Sequence, residues 1–314
     1  MGAKGGVQGL TEEQARSKMW IFDSKGLIAE GREGLSPDKQ VYAQSSVMLR
    51  GVRLKPGASL SSAVRAIKPT CLVGATGKAG VFTLDVLKDV YKGMPSSKVL
   101  ASANSSEFPM DSDSGVGGVR RRQRGEGLFA SMPPGSGGSA SLRATPIILA
   151  LSNPTSCSEC TLQDALDATD GNCVFASGSP FSPASGVDGV SVEASQANNA
   201  MIFPGLGAGA ILSGATEIPA TCFLAAGRAL ADETSEEELV AGLAIPPVAK
   251  IREAALAVAA AVCIECQQTM VASSAGNNKV WRQAVAVAEA EQGGDSVDIE
   301  LRAMLRRAIA DWRY

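Results

Sequence analysis

The chain of 314 residues contains no histidine. That absence removes the usual general base near neutral pH, the usual activator of a serine or cysteine nucleophile, and the commonest metal ligand. Ser-His-Asp chemistry is therefore excluded within the chain. Positive charge is not in excess either: the net charge is -3, and no basic surface argues for nucleic acid. Long apolar runs are missing too. The longest, residues 254–264, falls far short of the ~20 needed to span a bilayer, so no membrane role follows. The first six residues, Met1-Gly2-Ala3-Lys4-Gly5-Gly6, lack an apolar signal core and lack the Ser or Thr that myristoylation wants at the sixth position. No removable targeting segment is visible. The expectation is a soluble intracellular protein, in the cytoplasm or in an organelle such as a plastid or mitochondrion.

What is present is an ordinary globular composition, 45% hydrophobic and 19% charged. The length allows about two domains of ~150 residues, or one large α/β unit with appendages. Seven cysteines include two Cys-x-x-Cys pairs, Cys157 with Cys160 and Cys263 with Cys266. The pairs are far apart, and the second sits in an Ala-rich helical run. They read as free reduced thiols rather than as a metal or redox site.

Periodicity gives alternating strands and helices. Strands are expected at 18–23, 70–74, 146–151 and 173–177, with helices starting at 11 and covering 59–67, 82–91 and 159–168. Such alternation predicts a parallel sheet with helices on both faces. From about residue 208 the pattern is mostly helical, at 219–231, 235–241, 248–268, 279–291 and 302–312. The run Ile147-Ile148-Leu149-Ala150-Leu151-Ser152-Asn153-Pro154-Thr155 is the most informative. Five apolar residues empty into a polar break whose Asn suits a tight turn and whose Pro cannot extend a central strand. An amide at a strand's carboxyl end can offer a donor and an acceptor to a small polar ligand. A turn Asn alone is commonplace.

Further runs join it: Phe175-Ala176-Ser177-Gly178-Ser179-Pro180-Phe181, and Gln196-Ala197-Asn198-Asn199-Ala200-Met201-Ile202-Phe203-Pro204-Gly205-Leu206-Gly207. Upstream stand Trp20-Ile21-Phe22-Asp23-Ser24-Lys25-Gly26-Leu27-Ile28, Gly31-Arg32, Lys68-Pro69-Thr70 and Leu72-Val73-Gly74; downstream stands Pro246-Pro247. In this order and spacing, the runs resemble the NAD(P)-binding portion of the malic enzyme family, over about residues 11–92 and 145–255. The resemblance implies a Rossmann-like α/β fold lacking its first strand, because the phosphate loop expected ~20 residues before Asp23 would begin at the initiator methionine. The expected organisation is an NAD(P)-binding domain at 1–92 and 145–255 and a helical extension at 256–314. Between them, 93–144 reads as a disordered Gly/Ser-rich insertion. Its basic run Arg120-Arg121-Arg122-Gln123-Arg124 could also be an anion or nucleic-acid loop, although a short basic run in a flexible loop is usually just solvated.

The resemblance also implies roles. Asp23 would meet the adenosine ribose, against its plain reading as a turn acid. Ser24 and Lys39 would hold the 2′-phosphate of NADP, which puts NADP ahead of NAD; Lys39 is otherwise a solvated lysine. Gly74, Ala75, Thr76 and Gly77 would run alongside the dinucleotide, small residues letting backbone N–H groups approach it. Asn153 and Asn199 would meet the carboxylate and hydroxyl of malate beside the nicotinamide, Asn153 binding the cofactor as well and Asn198 being structural; read without the resemblance, the Asn198-Asn199 pair is a helix cap. The family's reaction oxidises L-malate and releases carbon dioxide and pyruvate, in a homo-oligomer that uses Mg²⁺ or Mn²⁺. Its Lys base, Tyr acid and Glu/Asp metal motifs have no match in this sequence. The expectation is therefore no catalytic and no metal-ligating residue here, and a chain that reads as truncated at its amino terminus. The alternative is a non-catalytic dinucleotide-binding or subunit-contact module.

Overall fold

A computed structural model describes residues 11–95, 144–186, 189–269 and 303. The expected insertion at 93–144 lies outside these residues apart from its edges. The helices expected at 279–291 and 302–312 lie outside them as well, residue 303 excepted. The chain divides into two compact units, the first built mainly from residues up to 174 and the second mainly from residues beyond it.

In the first unit local signals set the elements. Thr11 caps α1 (Glu12–Ser17) in a reciprocal box with Gln14. Strands β1 (Phe22–Asp23) and β2 (Gly26–Leu27) form an antiparallel hairpin, followed by the short helices α2 (Pro37–Gln40) and α3 (Ser46–Val52). Ser59 caps α4 (Leu60–Ile67), which buries Ala63 and Val64. Strand β3 (Cys71–Gly74) leads through a turn to α5 (Leu84–Gly93), capped by Thr83. Strand β4 (Ile147–Ala150) precedes α6 (Leu162–Ala168), capped by Thr161 and Asp164. Helix α4 packs on α5, and α5 on α6.

The β3 and β4 strands pair in parallel, Cys71 opposite Ile147 through Gly74 opposite Ala150. With β5 (Val174–Ser177) and β6 (Ser195–Gln196) they form one four-stranded sheet in the order β3-β4-β5-β6. This is the expected parallel sheet with helices. One expected strand departs from it: the run ending at Asp23 closes a hairpin arm rather than a strand of that sheet. The hairpin's own turn supplies the pairing, and its core of Leu27, Ala29 and Leu49, flanked by Trp20 and Phe22, is separate.

The second unit is helical beyond β6. Helix α7 (Phe203–Ser213) has Pro in its first turn and ends on Gly214 in the left-handed region. It packs on α10 (Ile251–Gln268), as does α8 (Ala220–Asp232); α9 (Glu236–Val240) is capped by Ser235 and Glu238. Met201, Leu206, Cys222, Ala226, Val258, Val262 and Cys266 share the buried core. The contact between α7 and α10 is close because α7 presents glycines. A Cβ on Gly205 would lie 2.5 Å from the Ala255 carbonyl oxygen and 2.6 Å from Val258 Cβ, and one on Gly209 would lie 2.7 Å from the Ala259 oxygen. The contacts advance together, so the two helices run in the same direction. Helix α10 is continuous across residue 255. Gly209→Ala should destabilise the fold by about 1–3 kcal/mol through overpacking, measured by urea unfolding, whereas Gly227→Ala, with open space at that position, should not lower stability.

Candidate cofactor and substrate site

The expected site residues fall into three places. The first is the hairpin. Asp23 receives the Lys25 backbone N–H on Oδ1 at 2.9 Å, both its oxygens receive Arg32 Nη2 at 2.7 and 2.6 Å, and Oδ2 receives Lys39 Nζ at 2.6 Å. Those contacts fill the roughly four acceptor positions of a carboxylate. Asp23 thus spends its acceptors on a backbone amide and two cations. The Arg32 and Lys39 hydrogen bonds hold its pKa well below the usual carboxylate range. Arg32 is the fixed partner: its side chain is 9% exposed, and its Nη1 donates to the Gly26 and Leu27 carbonyls at 2.8 and 3.2 Å. Lys39 is the movable one, at 45% exposed. Ser24 stands exposed at the turn. Sequence reasoning quoted Arg32 within a motif but gave it no role; a basic residue shortly after an acid-ended strand was the available signal.

The second place is the edge where β3 and β4 end. Here the organising residue is Glu159, which sequence reasoning missed. Its side chain is fully buried. Oε1 accepts from the Thr76 N–H and the Thr76 hydroxyl, each at 2.8 Å, and from the Ser152 hydroxyl; Oε2 accepts from the Ser152 N–H at 3.3 Å. Ser152 Oγ in turn accepts from the Gly77 N–H at 2.8 Å. Farther along, Gly80 N–H donates to the Ser158 carbonyl and Phe82 N–H to that of Glu159. The turn after β3 is thus fastened along its length to the segment after β4.

This geometry changes the reason for the small residues. A Cβ on Gly74 would lie 2.5 Å from Glu159 Cδ and Cγ, so Gly74 is small for a buried neighbour. The N–H groups of Thr76 and Gly77, expected to approach a cofactor, point to Glu159 and Ser152 instead. Ala75 is exposed. Asn153 follows Ser152 directly and is exposed, and its bond to Pro154 is cis.

The third place belongs to the second unit. Asn199 is exposed and opens a 3-10 turn, Asn199–Met201, just after β6. Asn198 caps that turn, its Oδ1 accepting from the Ala200 N–H at 2.9 Å.

Among the described residues no cluster of three or more Cys, Asp or Glu side chains could hold a metal ion, and all seven cysteines are free thiols. The described residues do not fit a divalent metal. A nicotinamide dinucleotide fits better: small-residue turns close parallel strands, and Lys39 offers a half-exposed cation to an anionic ligand. No helix among them is long and apolar enough to cross a membrane.

A parallel sheet with such turns at its carboxyl ends is that of a Rossmann-like dinucleotide-binding domain. Comparison with known proteins gives the family. Residues 3–131 and 139–267 match the model of the malic enzyme NAD-binding domain, and the chain belongs to the malic enzyme family. It is 36% identical to NADP-dependent malic enzyme 3 of Arabidopsis thaliana, over 83% of this chain and 35% of that protein. It is 33% identical to the mitochondrial NAD-dependent malic enzyme 1 of the same plant, over 81% of this chain and 33% of that one. Among solved structures, an NAD-dependent malic enzyme of Thermotoga maritima aligns over 77% of this chain and 43% of its own, at 18% identity and a TM-score of 0.42. The chain spans about a third of the length of the curated relatives it matches.

Asp23 and Glu159 both contribute to the acid sensitivity. Burial pushes Glu159 up, but the hydrogen bonds from Ser152 and Thr76 outweigh it, so its pKa is lowered from 4.5. A carboxylate with a lowered folded pKa contributes stability that is complete above its unfolded value and lost as pH falls through the folded one. Stability should therefore hold from pH 7 to about pH 5 and decline below about pH 4. Glu159→Gln should lower stability at pH 7 by about 1–3 kcal/mol, since an amide nitrogen would then face donors, and should flatten the acid slope measured by urea unfolding at several pH values.

Proposed function

We propose that this chain supplies the cofactor-binding and substrate-contacting part of a malic enzyme reaction: oxidation of L-malate with NADP, or NAD, and release of carbon dioxide and pyruvate. One observation carries the reading. The turn expected at the cofactor, Gly74 to Gly77, is fastened through Glu159 to Ser152, the residue next to the amide expected at the substrate, Asn153.

The dinucleotide, when bound, supplies the acceptor for the hydride of malate's hydroxyl carbon. Lys39 turns from Asp23 to the 2′-phosphate, with the Ser24 hydroxyl beside it. Asp23, anchored by Arg32, keeps the hairpin turn in shape at the ribose. Gly74, Ala75, Thr76 and Gly77 line the dinucleotide. Asn153 orients malate's carboxylate and hydroxyl beside the nicotinamide, and the family resemblance gives Asn199 a malate contact as well. The proton transfers and the metal's role fall to residues with no counterpart in this sequence, and the assembled enzyme is a homo-oligomer. A second reading, a dinucleotide-binding or subunit-contact module without catalysis, draws support from that same lack of a base, an acid and metal ligands.

Each missing catalytic group costs ~10² to 10⁴ in rate, so the purified chain should form no NADPH from malate with Mn²⁺ present. Joined to the remaining part of a relative, it should do so. Turnover by the chain alone would sink the first expectation, and silence from the joined protein would leave the module reading standing. Cofactor choice gives a separate check. Lys39→Gln should weaken NADP binding by about 1.5–3 kcal/mol, the worth of one charged hydrogen bond, and NAD binding by much less. Equal losses would remove Lys39 from the phosphate.

A further inference from the structure

Glu159 does more than fasten two turns, because among the described residues no cation neutralises its charge. Its four partners are two backbone N–H groups and two hydroxyls. Among the described residues, no Lys or Arg forms an ion pair with it. Lys78, on the same turn, has an exposed side chain and joins the network through its backbone, its N–H donating to Thr76 Oγ1 at 3.1 Å. Three donors meet Oε1 and one meets Oε2, and the two backbone N–H groups among them can only donate, so the carboxyl is held below its ordinary pKa and is ionised near neutral pH. Hydrogen-bond donors stabilise such an anion where it sits, yet its net charge still acts on a second charge nearby, and more strongly in a protein than in water.

We propose that Glu159 makes this site favour the oxidised, cationic nicotinamide over the reduced, neutral one. The inference rests on the reading that the nicotinamide lies beside Asn153. Ser152 N is 3.3 Å from Glu159 Oε2, and Asn153 is the next residue, so a ring that Asn153 touches lies within the field of the carboxylate. The oxidised ring carries one positive charge, and taking up hydride removes it. Glu159 therefore attracts the ring before hydride transfer and no longer afterwards, which helps the spent cofactor leave. At an effective dielectric of ~20, a charge pair at such a range changes relative affinity on the order of tenfold. Glu159 is a positioning residue in this account, since it touches neither cofactor nor substrate.

The test is calorimetric titration of the 314-residue chain with oxidised NADP, reduced NADP, and an oxidised-cofactor analogue in which neutral benzamide replaces the nicotinamide ring. The wild type should bind the oxidised cofactor on the order of tenfold tighter than the benzamide analogue. Glu159→Asp, which keeps the charge, should preserve that ratio, and Glu159→Gln should bring it close to one. Thr76→Val removes a hydrogen bond but leaves the charge; it should weaken all three ligands together and leave the ratio alone. Should Glu159→Gln fail to fold, the wild-type ratio and Glu159→Asp still decide. Equal affinity of the wild type for the cationic and neutral rings would overturn the proposal, as would an unchanged ratio in folded Glu159→Gln. Binding of none of the three ligands by the wild type would instead remove the dinucleotide reading on which the proposal stands.

Discussion

A buried carboxylate that only accepts hydrogen bonds is the constraint from which the first unit's site follows. An ionised acid removed from water is costly unless each lone pair finds a donor. Glu159 finds its donors on two different segments, the turn after β3 and the start of the turn after β4. Neither segment can shift without leaving the charge short of a partner. Gly74 is a consequence, since no other residue leaves room for the Glu159 side chain. So is the orientation of the Thr76 and Gly77 amides, which face inward. The exposed Asn153 is held in place by a neighbour, Ser152, that takes part in the same network.

The hairpin solves a related problem with charges of both signs. Asp23 is partly shielded, at 16% exposed, and gathers Arg32 and Lys39. Arg32 is rigid, its guanidinium shared between the carboxylate and two carbonyls, whereas Lys39 retains exposure and a flexible stem. A fixed cation and a movable one on a single acid form an arrangement from which the lysine can transfer to a stronger anion. In the second unit the constraint is steric. Gly205 and Gly209 let α7 approach the backbone of α10, and the Ala-rich face of α10 completes the contact. Burial there comes from close backbone approach rather than from large side chains.

How far the sequence could be read depended on the range of the interactions involved. The helix expected at 59–67 is Leu60–Ile67 with Ser59 as its cap, and that expected at 235–241 is Glu236–Val240 between Ser235 and Ala241. Caps and periodicity act within a few residues, and local patterns register them. The strand ending at Asp23 was legible as a strand, but its partner was not, because the same short run can pair with a hairpin turn or with a distant neighbour. Glu159 looked like the first residue of a helix. Its actual partner Thr76 lies 83 positions away, beyond any periodic pattern.

The sequence by itself determined the class of fold, the family, and the places where polar turns interrupt apolar strands, because alternation, caps and motif order are properties of neighbouring residues. It also determined that this chain brings no histidine of its own to any site. Tertiary structure alone decided which acid is buried without a cation, which cations share Asp23, and which amides face inward. Those outcomes depend on segments far apart in the chain meeting in space, where desolvation makes each unpaired polar group costly.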